Sequence, residues 1–218
     1  MFSWDEAAFF TFLLCLIIYV MMMVICKRTG KLYNRASIER TYKNWVDARI
    51  DELSHLVTIQ AIRNSIMSNS IFISGLLLFL SLIIGLFQYE ILGDIDADFL
   101  GSITISVGIV QIVLIGMISI FSLFNFVFSI RMLYRSQFLI TANTKKREEL
   151  FEETYKLMQK SFAAAQNYWT SGIRGLYFLI PAITWLFHPI VFLLTTILIT
   201  VYLIGWHDLS FFSRNGHL

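Results

Sequence analysis

The sequence predicts an all-α, polytopic membrane protein with four transmembrane helices and two long amphipathic helical excursions on the cytoplasmic side. Three observations carry this. Hydrophobic residues fill 57% of the 218 positions and charged residues only 15%, with a mean hydropathy of +0.68, outside the range of soluble domains. Four segments match the roughly 20 apolar residues that a hydrocarbon core of about 30 Å requires. Sixteen of the 17 Lys and Arg fall in two of the connections, leaving Arg214 in the tail.

The first span covers about residues 7–26. Its amino end, "MFSWDEAAFF", is acidic and no small-x-small cleavage site follows, so it reads as a permanent helix instead of a secretory signal. Cys15 and Cys26 lie within it about 16 Å apart along the axis, too far to bridge. The second and third spans, about 70–88 and 102–130, are joined by "YEILGDIDADFLG", which has four acids and no base. A fourth span is expected over about 176–206, making residues 1–218 one integral membrane domain. By the positive-inside rule the excursions 27–69 and 131–175 are cytoplasmic and both termini extracytoplasmic, in a cell membrane. Trp4, Tyr89 and Trp206 then mark the outer interface, and Tyr134, Trp169 and Tyr177 the inner one.

Both excursions have helical periodicity. After Ser37, a good N-cap, apolar residues recur at Ile38, Tyr42, Trp45, Val46, Leu53, Leu56 and Val57, and neither Gly nor Pro interrupts the run into the second span. The second span is therefore expected to end one long helix. The other excursion restarts at Thr144 and carries Leu150, Phe151, Met158, Phe162 and Trp169 on one side, with Gly172 and Gly175 read as breaks. The two apolar stripes are expected to cover each other, or else to lie flat on anionic lipid.

Polar residues also align inside the spans. At 100° per residue, Gln60, Arg63, Asn64, Ser70, Ser74 and Ser81 share one sector of the second helix. Gln111, Ser119, Ser122, Asn125 and Ser129 share a sector of the third, and Tyr177, Pro181, Thr184, His188 and Thr195 align on the fourth. In lipid such a seam permits close helix packing and interhelical hydrogen bonds. A hydrated path is the other use of such a seam, and the long side chains of Gln111, Asn125 and His188 favour it. The candidate pathway or packing seam is thus Gln60, Arg63, Asn64, Ser74, Gln111, Asn125, Thr184 and His188. Arg63, Arg131 and Arg174 form a candidate cytoplasmic basic ring for lipid headgroups. Pro189 removes the hydrogen bond to the carbonyl of Trp185, and Pro181 that of Tyr177, so a kink or break is expected there.

No phosphate loop, GxSxG elbow, HExxH or Cys-x-x-Cys occurs, and no catalytic residue, metal site or cofactor is assigned. His55, His207 and His217 are too dispersed to join His188 at a metal. Asp94, Asp96 and Asp98 read as a solvated charge run. No acid or base lies deep in a span, so a proton-coupled carrier lacks its usual intramembrane carboxylate.

Trp45 with "QAIRNSIMSNSIFISG", "SLFNFVFSIRMLYRSQFLI" and "GIRGLYFLIPAITWLFHP" makes the chain resemble the membrane-protein family catalogued as domain of unknown function 599. On that resemblance Arg63, Asn64, Arg131, Arg174, Tyr177, Trp185 and Pro189 match recurring positions. His188 departs from the family pattern, in which a small residue precedes the proline. The resemblance implies four helices with cytoplasmic motifs and no activity. The expected function is an oligomeric channel or transporter for a small polar or ionic solute, not an enzyme. The alternative is a non-catalytic accessory or scaffold subunit of a membrane complex that docks partners through its cytoplasmic helices. The expected partners are the lipid bilayer and further copies of the chain or other membrane subunits, with no nucleic acid.

Overall fold

Long apolar runs should give helices that outlast the bilayer, and they do. The computed structural model describes residues 4–28, 41–42, 44–45, 56–93, 107–141 and 148–208, and every regular element among them is helical. In chain order these are α1 (Trp4–Arg28), α2 (Leu56–Gly93), α3 (Val107–Thr141), α4 (Glu148–Thr184) and α5 (Pro189–Tyr202), followed by a π-helical turn, Leu203–Asp208. Trp4–Ile25, Leu56–Leu86 and Gly108–Ile140 are long and apolar enough to cross a membrane. With 38, 35 and 37 residues, α2, α3 and α4 measure about 52 to 57 Å at 1.5 Å per residue, well beyond a hydrocarbon core. Most of the first excursion, and Asp94, Asp96 and Asp98, lie outside the described residues.

The chain divides into two compact units, one of Met1–Ala36, Leu78–Ile120 and Gly175–Leu218, the other of Ser37–Leu77 and Phe121–Arg174. In the first, α1 packs through Ala8, Phe12 and Tyr19 onto Phe178, Trp185, Phe192, Ile199 and Leu203. The single fourth span expected over 176–206 is not continuous here. Pro189 lacks an N–H and forces the preceding residue out of the α region. His188 accordingly sits extended, with φ −162° and ψ 132°, so α4 stops at Thr184 and α5 begins anew at Pro189. The segments then fold back on each other. Thr184 Oγ1 meets Thr195 Oγ1 at 2.9 Å, and farther from the turn the rings of Tyr177 and Tyr202 are 5.7 Å apart. These pairs advance by seven residues on each strand of the hairpin, which makes it antiparallel. α5, at 14 residues, runs on without a break into the six-residue π-helical turn.

The second unit is organised by a seam on α3. Its buried positions Phe126, Ser129, Leu133, Ser136 and Ile140 alternate in steps of three and four, the spacing at which one helix face stays against its neighbours. Ile62, Leu133, Ile140, Met158, Phe162 and Ala165 form the core. Tyr42 and Trp45 close it by packing on Phe162, with ring centroids 5.8 and 5.0 Å away, so the apolar stripes of the two excursions cover each other where they are described. Burial pushes the Tyr42 phenol above its usual pKa.

Gly172 and Gly175, expected to break the second excursion, both lie inside α4. Gly172 is there because α3 comes too close for a side chain: a Cβ would stand 2.8 Å from Phe126 Cε1. The ring has no room to retreat, since Phe126 is 0% exposed, stacks on Phe72 at 5.3 Å and meets Trp169 edge-on at 5.3 Å. Gly172→Val is expected to destabilise the protein by about 1–3 kcal/mol through overpacking. Adding Phe126→Leu should recover part of the loss, and thermal midpoints of the detergent-purified variants check both.

Candidate functional site

Polar groups inside apolar helices mark the places where function can reside, and each must first be accounted for as a donor or acceptor. In the second unit they gather around a cleft of about 180 Å³. From α2 come Ser65, Ser68 and Asn69, from α3 Ser129 and Leu133, and from α4 Gln166 and Trp169. Asn69 is 2% exposed. Its Nδ2 donates to Ser65 O at 2.8 Å, while its Oδ1 is buried with no partner among the described residues. Ser129 Oγ donates to Ala165 O at 2.9 Å, a bond that ties α3 to α4. Trp169 stands against Phe72 and Phe126 as the apolar wall.

In the first unit the polar groups surround the hairpin turn, and here the backbone N–H groups of the turn are bonded. Trp185 N donates to Pro181 O at 3.1 Å, Leu186 N to Ile183 O at 3.1 Å, and Phe187 N and His188 N to Thr184 O at 3.1 and 3.2 Å. His188 caps α5, its Nδ1 accepting from Ile190 N at 3.2 Å, which places the ring proton on Nε2. The Trp185 carbonyl, deprived of its helical donor by Pro189, accepts from Gln111 Nε2 at 3.1 Å. The Trp185 ring lies parallel to Phe192 at 4.8 Å and to Phe9 at 5.6 Å, and its Nε1 donates to Asp5 Oδ1 at 3.2 Å. The turn is closed by protein on these sides.

The residues singled out from the sequence therefore have separate fates. Gln111 and Thr184 join the hairpin, and His188 is its cap. Asn125 returns its Nδ2 to Phe121 O of its own helix at 2.8 Å. Gln60, Arg63, Asn64 and Ser74 are exposed on the protomer. The buried face of α2 is a different one, carried by Thr58, Ile62, Asn69, Leu76 and Ile83, about 140° round the helix from Arg63, Ser74 and Ser81. Of the basic residues, Arg63 and Arg131 are exposed and Arg174 is half-buried, all within the second unit.

A family model described as "Protein of unknown function, DUF599" matches residues 7–213. The chain belongs to the DUF599 family. Comparisons with curated proteins and with solved structures find no match. The matched range of this DUF599 chain contains both the cleft and the hairpin. Sequence reasoning passed over Asn69, Ser65, Gln166 and Trp169 as site residues. A signal for Asn69 existed in the seven-residue recurrence Ile62, Asn69, Leu76, Ile83.

Gln111→Leu removes the only donor found on the freed Trp185 carbonyl among the described residues. Leaving a buried carbonyl unmet costs about 1–3 kcal/mol, so the variant should lose several degrees of thermal midpoint relative to the wild type. Gln111→Leu with Pro189→Ala should lose less, because Ala restores an N–H that can bond that carbonyl.

Proposed function

We propose that the protein is an oligomeric membrane channel or carrier for a small polar solute, with its path between copies of the chain along the outward polar face of α2. One observation supports this reading above others: Gln60, Arg63, Asn64, Ser70 and Ser74 all point away from their own protomer, on a helix whose apolar stretch has a mean hydropathy of 2.2. An amide or guanidinium turned to acyl chains costs several kcal/mol unless it snorkels or finds partners. A neighbouring copy or enclosed water removes that cost. Ser70 Oγ donates to Ile66 O of its own helix at 3.0 Å, leaving a small surface against which a second helix packs closely. The scaffold alternative needs an uncovered apolar face on the excursions, and Tyr42 and Trp45 already occupy the one at Phe162.

The hairpin also bears on topology. Trp185 lies beside Asp5 and Phe9 at the start of α1, and Tyr19 beside Phe178 farther along it, so α4 runs antiparallel to α1 and α5 returns alongside. In this reading the N-terminus is extracytoplasmic and the C-terminal tail cytoplasmic. All 17 Lys and Arg then face one side, as the positive-inside rule favours. Arg63, Arg131 and Arg174 meet anionic headgroups there.

A cytoplasmically active reporter fused after Leu218 is expected to be active, and the same reporter ahead of Met1 silent; activity at the N-terminus would reverse the assignment. Ser74 is exposed, so Ser74→Trp leaves the protomer intact and should abolish both oligomer and solute flux in liposomes. A monomeric Ser74→Trp protein that still carries solute would refute a path between copies.

A further inference from the structure

We propose that the three-helix cleft of the second unit binds a small uncharged polyol, recognised through the acceptor atoms of Asn69 and three serines. The hydroxyl protons of the lining serines are already committed. A serine hydroxyl has one proton to donate, and each serine of the cleft has committed it to a helix carbonyl: Ser65 Oγ to Ala61 O at 3.1 Å, Ser68 Oγ to Asn64 O at 3.1 Å and Ser129 Oγ to Ala165 O at 2.9 Å. What these side chains still offer is lone pairs.

Asn69 adds another. The amide has a fixed sense, because the atom facing the Ser65 carbonyl at 2.8 Å must be the NH₂ group. Its carbonyl oxygen is therefore the free atom, on a side chain that is 2% exposed, with no donor among the described residues. A buried acceptor without a donor is unfavourable, and a cleft of 180 Å³ has room for the several water molecules or the one small molecule that would supply it.

The occupant must bring several donors, which ammonium ions, guanidinium ions and polyols do. Charge decides among them. Neither an acidic nor a basic side chain lines the cleft. A cation would find no counter-ion there, and an anion would face a row of lone pairs. An uncharged polyol satisfies those lone pairs, accepts in turn from the Gln166 amide, and rests its C–H face on Trp169. Ser68, the exposed member of the lining, marks the mouth. The same chemistry is available from a free polyol or from the glycerol headgroup of phosphatidylglycerol.

The cleft lies within one protomer and needs no association between copies. Radiolabelled glycerol and erythritol are offered to the full chain in phosphatidylcholine nanodiscs, to Asn69→Leu, and to Ser68→Trp, which plugs the mouth from an exposed position and leaves the buried seam untouched. Saturable millimolar binding, weakened about tenfold or more in both variants, is expected, and it should persist in Ser74→Trp whether or not that variant oligomerises. If phosphatidylglycerol in the nanodisc displaces glycerol, the headgroup is the occupant; if it does not, the occupant is a free polyol. No saturable binding to the wild type, binding unchanged by Ser68→Trp, or preferential displacement by ethylammonium would each overturn the proposal.

Discussion

A carbonyl set among apolar side chains must find a donor within the protein, and the C-terminal half of this chain is arranged around that constraint. Pro189 removes the N–H that would have met Trp185 O, and Gln111 from α3 supplies the replacement at 3.1 Å. With that carbonyl satisfied and His188 capping α5, the helix can stop, turn and run back instead of merely bending. The aromatic packing of Phe9, Phe12, Trp185 and Phe192 follows from the turn, because folding back brings Phe192 under the Trp185 ring. In lipid there is no hydrophobic driving force between helices, so such stacked pairs, worth about 1 kcal/mol each, and a few side-chain hydrogen bonds carry the association.

Serine performs two tasks in the second unit, and both come from the same bond. By donating to a helix carbonyl it becomes a small, internally satisfied residue against which another helix packs. By donating, it also keeps only lone pairs for anything that enters. Ser129 illustrates both, holding α3 to α4 through Ala165 O while lining the cleft. Close packing elsewhere on the same faces, as where Gly172 admits the Phe126 ring, leaves the cleft as a defined gap between tightly joined neighbours.

The register of α2 illustrates why polar periodicity is ambiguous in an apolar chain. Two faces of this helix carry small and polar residues, one through Arg63, Ser70 and Ser74, the other through Thr58, Ser65 and Asn69. In a soluble helix the more polar face would go to water and the choice would be immediate. Here the surroundings are apolar on both sides, so hydropathy cannot rank them, and the protomer buries the face in which Ile62, Leu76 and Ile83 accompany Asn69. Glycine is ambiguous for a related reason: Gly172 looks like a helix break by propensity, yet in α4 its lack of a side chain serves interhelical contact.

The helical class, the long continuation of α2 ahead of its apolar core and the weak point at Pro189 were determined by the sequence alone, because hydropathy, the absence of breakers and the chemistry of proline are local properties. So was the need for some donor to the Trp185 carbonyl. That the donor is Gln111, 74 residues away, that the chain folds back as a hairpin at Pro189, and that Asn69 keeps a buried oxygen open were decided by tertiary structure. Each depends on which helix faces meet, and in an apolar chain that choice rests on packing shape and on pairing donors with acceptors across helices, neither of which has a period along the sequence.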